Sequence, residues 1–414
     1  MADNKDKKVL NVPALRFPEF TEEWKRIKVS DLLDFYSTNS LSWEQLEYES
    51  NEPYNLHYGL IHVGLPTIID LTKDKLPSIK DGNVPKKYEL CKEGDIAFAD
   101  ASEDTNEVAK VVEFYNLDGK KVVCGLHTIH GRNNNGQTAK GFLGYCFSST
   151  VFHNQIRRIA QGTKIYSINT RNFSEVFVGL PSMNEQQKIA TLLRLMDERI
   201  ATQNKIIERL ETLIKGIVDS IFTANKFPKV PFKEIYVRAG EGGTPTTSNP
   251  EYYDNGTIPF IKIDDLQNKY IKTNKDCITE LGLQKSSAWI VPANSIIYSN
   301  GATIGAISIN LFPVCTKQGI LGVVPKADIN VEFLYYFMTS TAFTKAVERI
   351  VTEGTMRTAY LKDINYIPCP VPCSVKQDEI AKLLSTLSEK LENEVIFQMK
   401  LQKQKEFLLS HMFI

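Results

Sequence analysis

Leu180-Pro-Ser-Met-Asn-Glu-Gln-Gln-Lys-Ile-Ala-Thr-Leu-Leu193 returns later in the chain as Val371-Pro-Cys-Ser-Val-Lys-Gln-Asp-Glu-Ile-Ala-Lys-Leu-Leu384, with Pro372 lying 191 residues after Pro181. Self-similarity at a long period decides the fold before any single element does. The same spacing holds upstream: Val123-Cys124 match Val314-Cys315, Phe142-Leu143 and Tyr145 match Phe333-Leu334 and Tyr336, Phe152 matches Phe343, and Arg158-Ile159 match Arg349-Ile350. One inserted residue places Gly162-Thr163 over Gly354-Thr355. An offset of 200 places Ile61 and Val63 over Ile261 and Ile263, and Ile96-Ala-Phe98 over Ile296-Ile-Tyr298. An ordered series of this kind means one unit written twice, a globular part followed by a helix.

The globular parts span 17–180 and 227–372, after a flexible segment 1–16. Their short apolar runs are broken by Gly, Pro and Asn, as at 258–263, 295–298, 306–309 and 319–324, which reads as strands. A helix is expected over 331–351. The helical parts, 181–226 and 373–414, carry a heptad seam. In the first it is Ile189, Leu193, Met196, Ile200, Gln203, Ile207 and Leu210, continuing to Ile221. In the second it is Ile380, Leu384, Leu387, Leu391 and Glu394, continuing to Met412. Steps of three and four residues put these side chains on one stripe, which must be buried. At 1.5 Å per residue the first helix is a rod of about 60 Å. Pairing of the two rods in opposite directions buries both stripes. The expected fold class is therefore α+β: two mixed α/β domains separated by two long antiparallel helices. The alternative is that each helix packs on its own globular part.

The chain has 414 residues, 42% of them hydrophobic and 24% charged, which suits a globular protein of several domains. It has no apolar run of the ~20 residues that span a bilayer, and its charged start leads into no secretory leader. Seven cysteines fall in no CxxC pair and read as reduced thiols of a cytoplasmic protein, mostly in the core. The 49 basic and 49 acidic residues cancel, so the molecule as a whole does not steer toward nucleic acid.

Catalytic constellations are missing. The sequence holds no GxxxxGK[ST] loop, HExxH, GxSxG or GxGxxG, and no Pro-Pro pair. His127 and His130 form an HxxH without a further ligand at metal spacing, so no metal is expected there. The acids Asp100, Glu103, Asp104 and Glu107 read as a solvated loop and helix start, since Lys110 misses the register of a nuclease cluster. The Phe333–Phe337 stretch reads as core.

Several motifs in order carry a resemblance. They are Gly242-Gly-Thr-Pro-Thr-Thr-Ser-Asn-Pro-Glu-Tyr-Tyr, Ile258-Pro-Phe-Ile-Lys-Ile-Asp-Asp-Leu, Asn300-Gly-Ala-Thr-Ile-Gly, the two Gly-Thr loops at 162 and 354, and Leu-Pro-x-x-x-Glu-Gln-x-x-Ile opening a long helix. The segment Leu15-Arg-Phe-Pro-Glu-Phe-Thr-Glu-Glu-Trp belongs with them. Together with the duplicated plan, they resemble the specificity subunits of type I restriction–modification systems over nearly the whole chain. The resemblance implies two target recognition domains, each reading half of a split site in double-stranded DNA, and helices that dock two methyltransferase subunits. It also implies restriction/translocase subunits in the complex, no catalysis in this chain, and S-adenosylmethionine, Mg and ATP held only by the partner subunits. The first domain departs from the pattern, with Ser37-Thr-Asn-Ser-Leu-Ser-Trp and Asp95-Ile-Ala-Phe-Ala-Asp-Ala-Ser where the second has Gly-Gly-Thr-Pro and Ser-Ile-Ile-Tyr-Ser-Asn-Gly-Ala. Two different half-sites are expected.

Sequence readout needs polar side chains at base edges, and phosphates need cations and backbone N–H groups. The candidates in the second domain are Thr244, Thr246, Lys262, Asn300, Thr303, Lys317, Gln318, Thr355 and Arg357. In the first they are His62, Ser102, His127, His130, Arg132, Thr163, Lys164 and Tyr166. Residues 227–372 hold 14 Lys/Arg against 13 Asp/Glu, so weak DNA affinity of the isolated chain is expected, with bound methyltransferases supplying further contacts. A turn added near Gln203 is expected to widen the gap in the recognised site. Two rival readings remain at this point: a coiled-coil scaffold that never touches nucleic acid, and an enzyme with an unrecognised site in the first domain.

Overall fold

The computed structural model describes residues 11–48, 52–224, 227–301, 303–352 and 357–414. They form two compact units: residues up to 203 together with 397–414, and residues 204–396. Each long helix contributes one part to each unit.

The first unit is built on a five-stranded sheet of β1 (Asp34–Tyr36), β2 (Ile68–Asp70), β3 (Ile96–Ala99), β4 (Val111–Asn116) and β5 (Thr128–Arg132). Its order is β1-β5-β3-β4-β2, antiparallel except for β2 beside β4. The second unit repeats this with β6 (Tyr236–Glu241), β7 (Tyr270–Ile271), β8 (Ser295–Ser299), β9 (Ile307–Asn310) and β10 (Ile320–Pro325), in the order β6-β10-β8-β9-β7. Again only the last pair is parallel. The central strands carry the repeat read from sequence. Ile96 and Phe98 face one core of their unit, as Ile296 and Tyr298 do in theirs, and Ala97 and Ile297 face the opposite side. Two matches of the series shift. Ile61 lies in a short helix, Tyr58–His62, whereas Ile261 ends a strand; Leu56, paired with Cys124 as Ile261 is with Thr316, holds the equivalent place, so Cys124 stands where Thr316 does, one residue out of the register read from sequence.

Two helices cover one face of each sheet: α1 (Phe142–Phe147) and α2 (Thr150–Ile159), and α4 (Val331–Thr339) and α5 (Thr341–Glu348), with α3 the long helix Met183–Ala224 and α6 the long helix Ser374–His411. The single helix expected over 331–351 is therefore two. Ser340 breaks it: its extended backbone and its hydroxyl, which accepts from the Phe343 N–H, make it an N-cap, as Ser149 does for Phe152. Phe333 and Phe337 are core, as read.

The long helices enter in the same way in both units. Gln186 and Gln377, each five residues after the proline, are buried. Gln186 donates to the carbonyls of Pro181 and Gln137 and accepts from the Ala139 N–H. Gln377 donates to Pro372 and Asp328 and accepts from Asn330. Within the first unit, Ile189, Ala190 and Leu193 pack in one core with Leu408, Met412 and Phe413. Farther along, Asp197 meets Lys405 and Arg199 lies over the Phe397 ring, so the two helices run antiparallel there. In the second unit Val218 and Phe222 share a core with Ile380, Ala381 and Leu384. Both expectations for the stripes hold, since each helix buries its seam against globular residues and against the other helix. Met196, Ile207, Leu210, Leu387, Leu391 and Glu394 are half-buried; Ile200 and Gln203 are buried.

Part of the expected flexible start is fixed. Residues 1–10 lie outside the described residues, but Leu15 donates its N–H to His411 and Arg16 forks onto buried Glu185 at 2.6 and 2.7 Å. Among the described residues no helix is long and apolar enough to cross a membrane.

Candidate nucleic-acid interface

In each unit the candidates gather where the central strand leaves the sheet. In the second unit, Asn300 donates its N–H to the Gly319 carbonyl and accepts from the Ala359 N–H. This brings the loops after β8 and before β10 and the segment at 357–359 to one place. Gly319, in the left-handed region, also donates to Glu241. The Gln318 N–H donates to the Thr244 hydroxyl, and the Lys317 N–H to the Ile261 carbonyl beside Lys262. Thr246, Thr303, Lys317, Gln318 and Arg357 are exposed on this junction, and Thr303 and Arg357 line one pocket. Lys262 is half-buried and ion-paired with Asp276 at 2.8 Å. The Gly242-Gly243 pair is a packing requirement: a Cβ on Gly242 would stand 2.0 Å from the Thr316 carbonyl oxygen, and one on Gly243 2.4 Å from the Ala288 nitrogen.

The first unit builds the same junction from different residues. Asp100 donates its N–H to the His127 carbonyl and accepts from the Ile168 N–H. His127 takes the left-handed conformation that Gly319 has in the other unit, at φ 53°, and its exposed ring bonds the Asp100 carboxylate at 3.1 Å. The His62 ring bonds the Ala101 carbonyl at 3.0 Å, and Ser102 pairs with Tyr166 across a two-stranded ladder. Thr163 and Lys164 are exposed in the loop closed by the Gln161–Ser167 bridge.

Four candidates need correction or fall outside. His130 is fully buried and bonds Asp95 at 2.7 Å. Arg132 is buried too, forking onto Asp95 at 2.9 and 2.8 Å, bonding Glu89 and the Leu90 carbonyl, and stacking over Tyr36. Burial pushes the Asp95 carboxyl up, but the bonds from His130, Arg132 and the Lys92 N–H outweigh it and hold it below its ordinary range. Both side chains are thus spent inside the fold. Asn300 is 1% exposed and its amide donates to the Ala359 carbonyl, so it shapes the junction from beneath. Thr355 lies outside the described residues. His127 and His130 do not share a site, since one is on Asp100 and the other on Asp95.

Sequence reading missed an aromatic group beside His127. The Tyr58 ring meets His127 edge-on at 5.2 Å, His57 lies between Tyr58 and Trp43, and Trp43 is 44% exposed. Burial, then His127, lowers the His57 pKa, so this ring stays neutral. No spacing in the sequence marks these residues, because they converge from separate segments.

The chain's residues 114–212 and 229–400 match the family model described as the type I restriction modification DNA specificity domain. The chain belongs to this family. The putative type I restriction enzyme MjaX specificity subunit of Methanocaldococcus jannaschii is 24% identical over 95% of this chain and 93% of its own length. The MjaIX specificity subunit of the same organism is 31% identical over 42% of this chain and 39% of its own length. The EcoR124I/EcoR124II specificity subunit of Escherichia coli is 27% identical over 42% of this chain and 45% of its own. The fold agrees with the crystal structure of a type I S subunit from M. genitalium, at TM-score 0.55 and 16% identity over 97% of this chain and 99% of that one. A chain from work on the assembly and conformational transition of a type I system gives 0.60 at 15% identity, over 93% and 96%. This chain is a specificity subunit by family, and its role is DNA recognition with two domains rather than catalysis.

Proposed function

We propose that each junction reads one half of a bipartite site in double-stranded DNA, through Thr244, Thr246, Lys262, Thr303, Lys317, Gln318 and Arg357 in the second unit, and through His62, Ser102, His127, Thr163, Lys164 and Tyr166 in the first. The observation that carries this reading is the repeated backbone junction, Asp100–His127 and Asn300–Gly319, which holds different exposed side chains over the same scaffold. A shared frame with different polar tips is what two unlike half-sites require. The long helices would dock two methyltransferase subunits, with restriction/translocase subunits joining that complex. S-adenosylmethionine, Mg and ATP would be bound by those partners, in the cytoplasm. The test is methylome sequencing of a host with and without the gene, repeated with Arg357→Ala and with His127→Gly. Loss or relaxation of one half of the methylated motif per variant supports the assignment. Unchanged motifs in both variants overturn it.

A further inference from the structure

The first unit contains a group of ligand-type side chains that DNA recognition does not use. Cys91, Cys124 and His130 each offer one ligand atom, and these atoms lie within 4.8 Å of one another. All three residues are buried, at 6%, 2% and 0% exposure. The two sulfurs stand 3.5 Å apart. The residues come from three places: the segment leading to β3, the end of the strand Val122–Cys124, and β5. Residues 91 and 124 are 33 apart, so no sequence spacing announces the group.

The second observation is an orphaned atom. His130 gives Nε2 to Asp95 at 2.7 Å, which leaves Nδ1 as its remaining donor of an electron pair. That Nδ1 is buried and has no hydrogen-bond partner. A buried polar atom left unpaired is costly, so its persistence calls for an occupant. The arrangement behind it is the one that metal-bound imidazoles use: the far ring nitrogen donates to a carboxylate, which fixes tautomer and orientation. Asp95 is itself held by Arg132 and by the Lys92 N–H, so this outer layer is complete without the ion.

We propose that Cys91, Cys124 and His130 bind a zinc ion. Two thiolates at the usual ~2.3 Å from a tetrahedral zinc stand about 3.8 Å apart, within a few tenths of an ångström of the separation found here. On binding, each thiol loses its proton to solvent and His130 enters neutral; no oxidation or reduction takes place. The charges then cancel, with the ion balancing two thiolates and Arg132 balancing Asp95. Three protein ligands leave the fourth position to a water molecule. The ion would pin both ends of the turn that carries His127, since Cys124 and His130 flank it in sequence. Its role would be to fix that turn, and no step of the methyl-transfer chemistry passes through it.

The test uses the full chain purified without chelators. Metal analysis should find one zinc per chain that survives dialysis, and exchange for cobalt should produce thiolate-to-cobalt charge-transfer and tetrahedral visible bands. Cys91→Ser, Cys124→Ser and His130→Ala should each lose the zinc to background, while Cys277→Ser and Cys373→Ser should keep it. If the site variants do not fold, the cobalt spectrum of the unaltered chain decides. A folded unaltered chain that retains neither zinc nor cobalt after dialysis overturns the proposal. So does a folded Cys91→Ser variant with an unchanged cobalt spectrum, or a disulfide between Cys91 and Cys124 in the purified chain.

Discussion

Asp197 joins Lys405 at 2.5 Å with one carboxylate oxygen and accepts the Tyr145 hydroxyl at 2.9 Å with the other. One side chain thus ties together the two long helices and the helix that covers the sheet. Tyr145 is fully buried, and burial, then Asp197, raises its pKa, so it remains a donor at any working pH. Asp197→Ala leaves this hydroxyl without its acceptor and should cost about 1–3 kcal/mol. Asp197→Asn keeps an acceptor and loses only the partly exposed ion pair, which is worth up to about 1 kcal/mol. Urea midpoints should fall in the order native, Asn, Ala. An Ala variant as stable as the native chain would remove this tie from the account.

Arg16 and Glu185 make a more demanding pair. Glu185 is 1% exposed and receives both guanidinium bonds. Arg16→Ala leaves a buried carboxylate without its cation and should destabilise the first unit by about 3–5 kcal/mol. Adding Glu185→Gln removes the uncompensated charge, so the double variant should recover part of the loss. If both variants melt alike, the charge is not what the guanidinium compensates.

Glu113 links stability to pH. It is buried in the first unit, where its carboxyl accepts from the Gly141 N–H and, at 2.7 Å, from the Gly144 N–H. Burial pushes its pKa up to about 7, against those two bonds and Lys140. The folded pKa therefore lies above the unfolded value near 4.5. A group shifted in this direction contributes fully below the unfolded pKa and loses that contribution as pH rises through the folded one. The loss from this residue is on the order of 3 kcal/mol between pH 4.5 and about 7. Glu113→Gln leaves one amide poorly matched and should be less stable than the native chain at low pH, with the difference narrowing as pH rises. Trp24 shares a core with Phe142 at the start of the covering helix, so its fluorescence reports the transition. A constant difference across pH would rule out the titration.

The parts of the fold that were legible in sequence are those set by local period and by repetition. The seam from Ile189 to Leu210 follows from helical geometry alone, and Phe152 and Phe343 reveal equivalent helices through their spacing. The break at Ser340 was not legible, because an apolar period of three to four runs through Phe333–Val347 and one hydroxyl decides the cap. The candidate interface was legible as loops and much less so as side chains. His130 and Arg132 carry the chemistry of DNA contacts, but Asp95, 35 and 37 residues away, draws both inside. Asn300 fails for a related reason: a loop asparagine beside a glycine is equally suited to holding backbone, and here it holds Ala359.

His127 offers a way to separate recognition from stability. Its φ of 53° is one that Gly319 adopts freely in the second unit. His127→Gly should leave the urea midpoint equal or raised, by up to about 1 kcal/mol, because the strained backbone is relieved. DNA binding by the chain, assembled with the methyltransferase subunits proposed for it, should weaken, since the exposed ring on Asp100 and Tyr58 is gone. A variant that loses stability instead would mean that the ring holds the turn together.

Lys317 and Arg357 should differ in how they fail. Both are exposed on the second junction. Lys317 is an exposed point charge, which suits phosphate, whereas the planar fork of Arg357 at the pocket shared with Thr303 suits a base edge. Lys317→Ala should weaken binding of the assembled complex to all duplexes alike and reduce the salt slope by about 0.9. Arg357→Ala should cost about 1–3 kcal/mol on the cognate duplex and much less on a duplex altered in one half-site, so that discrimination collapses at particular positions. Equal losses on cognate and altered duplexes for Arg357→Ala would make it a phosphate contact as well, and readout by the second unit would then fall to Thr244, Thr246 and Gln318.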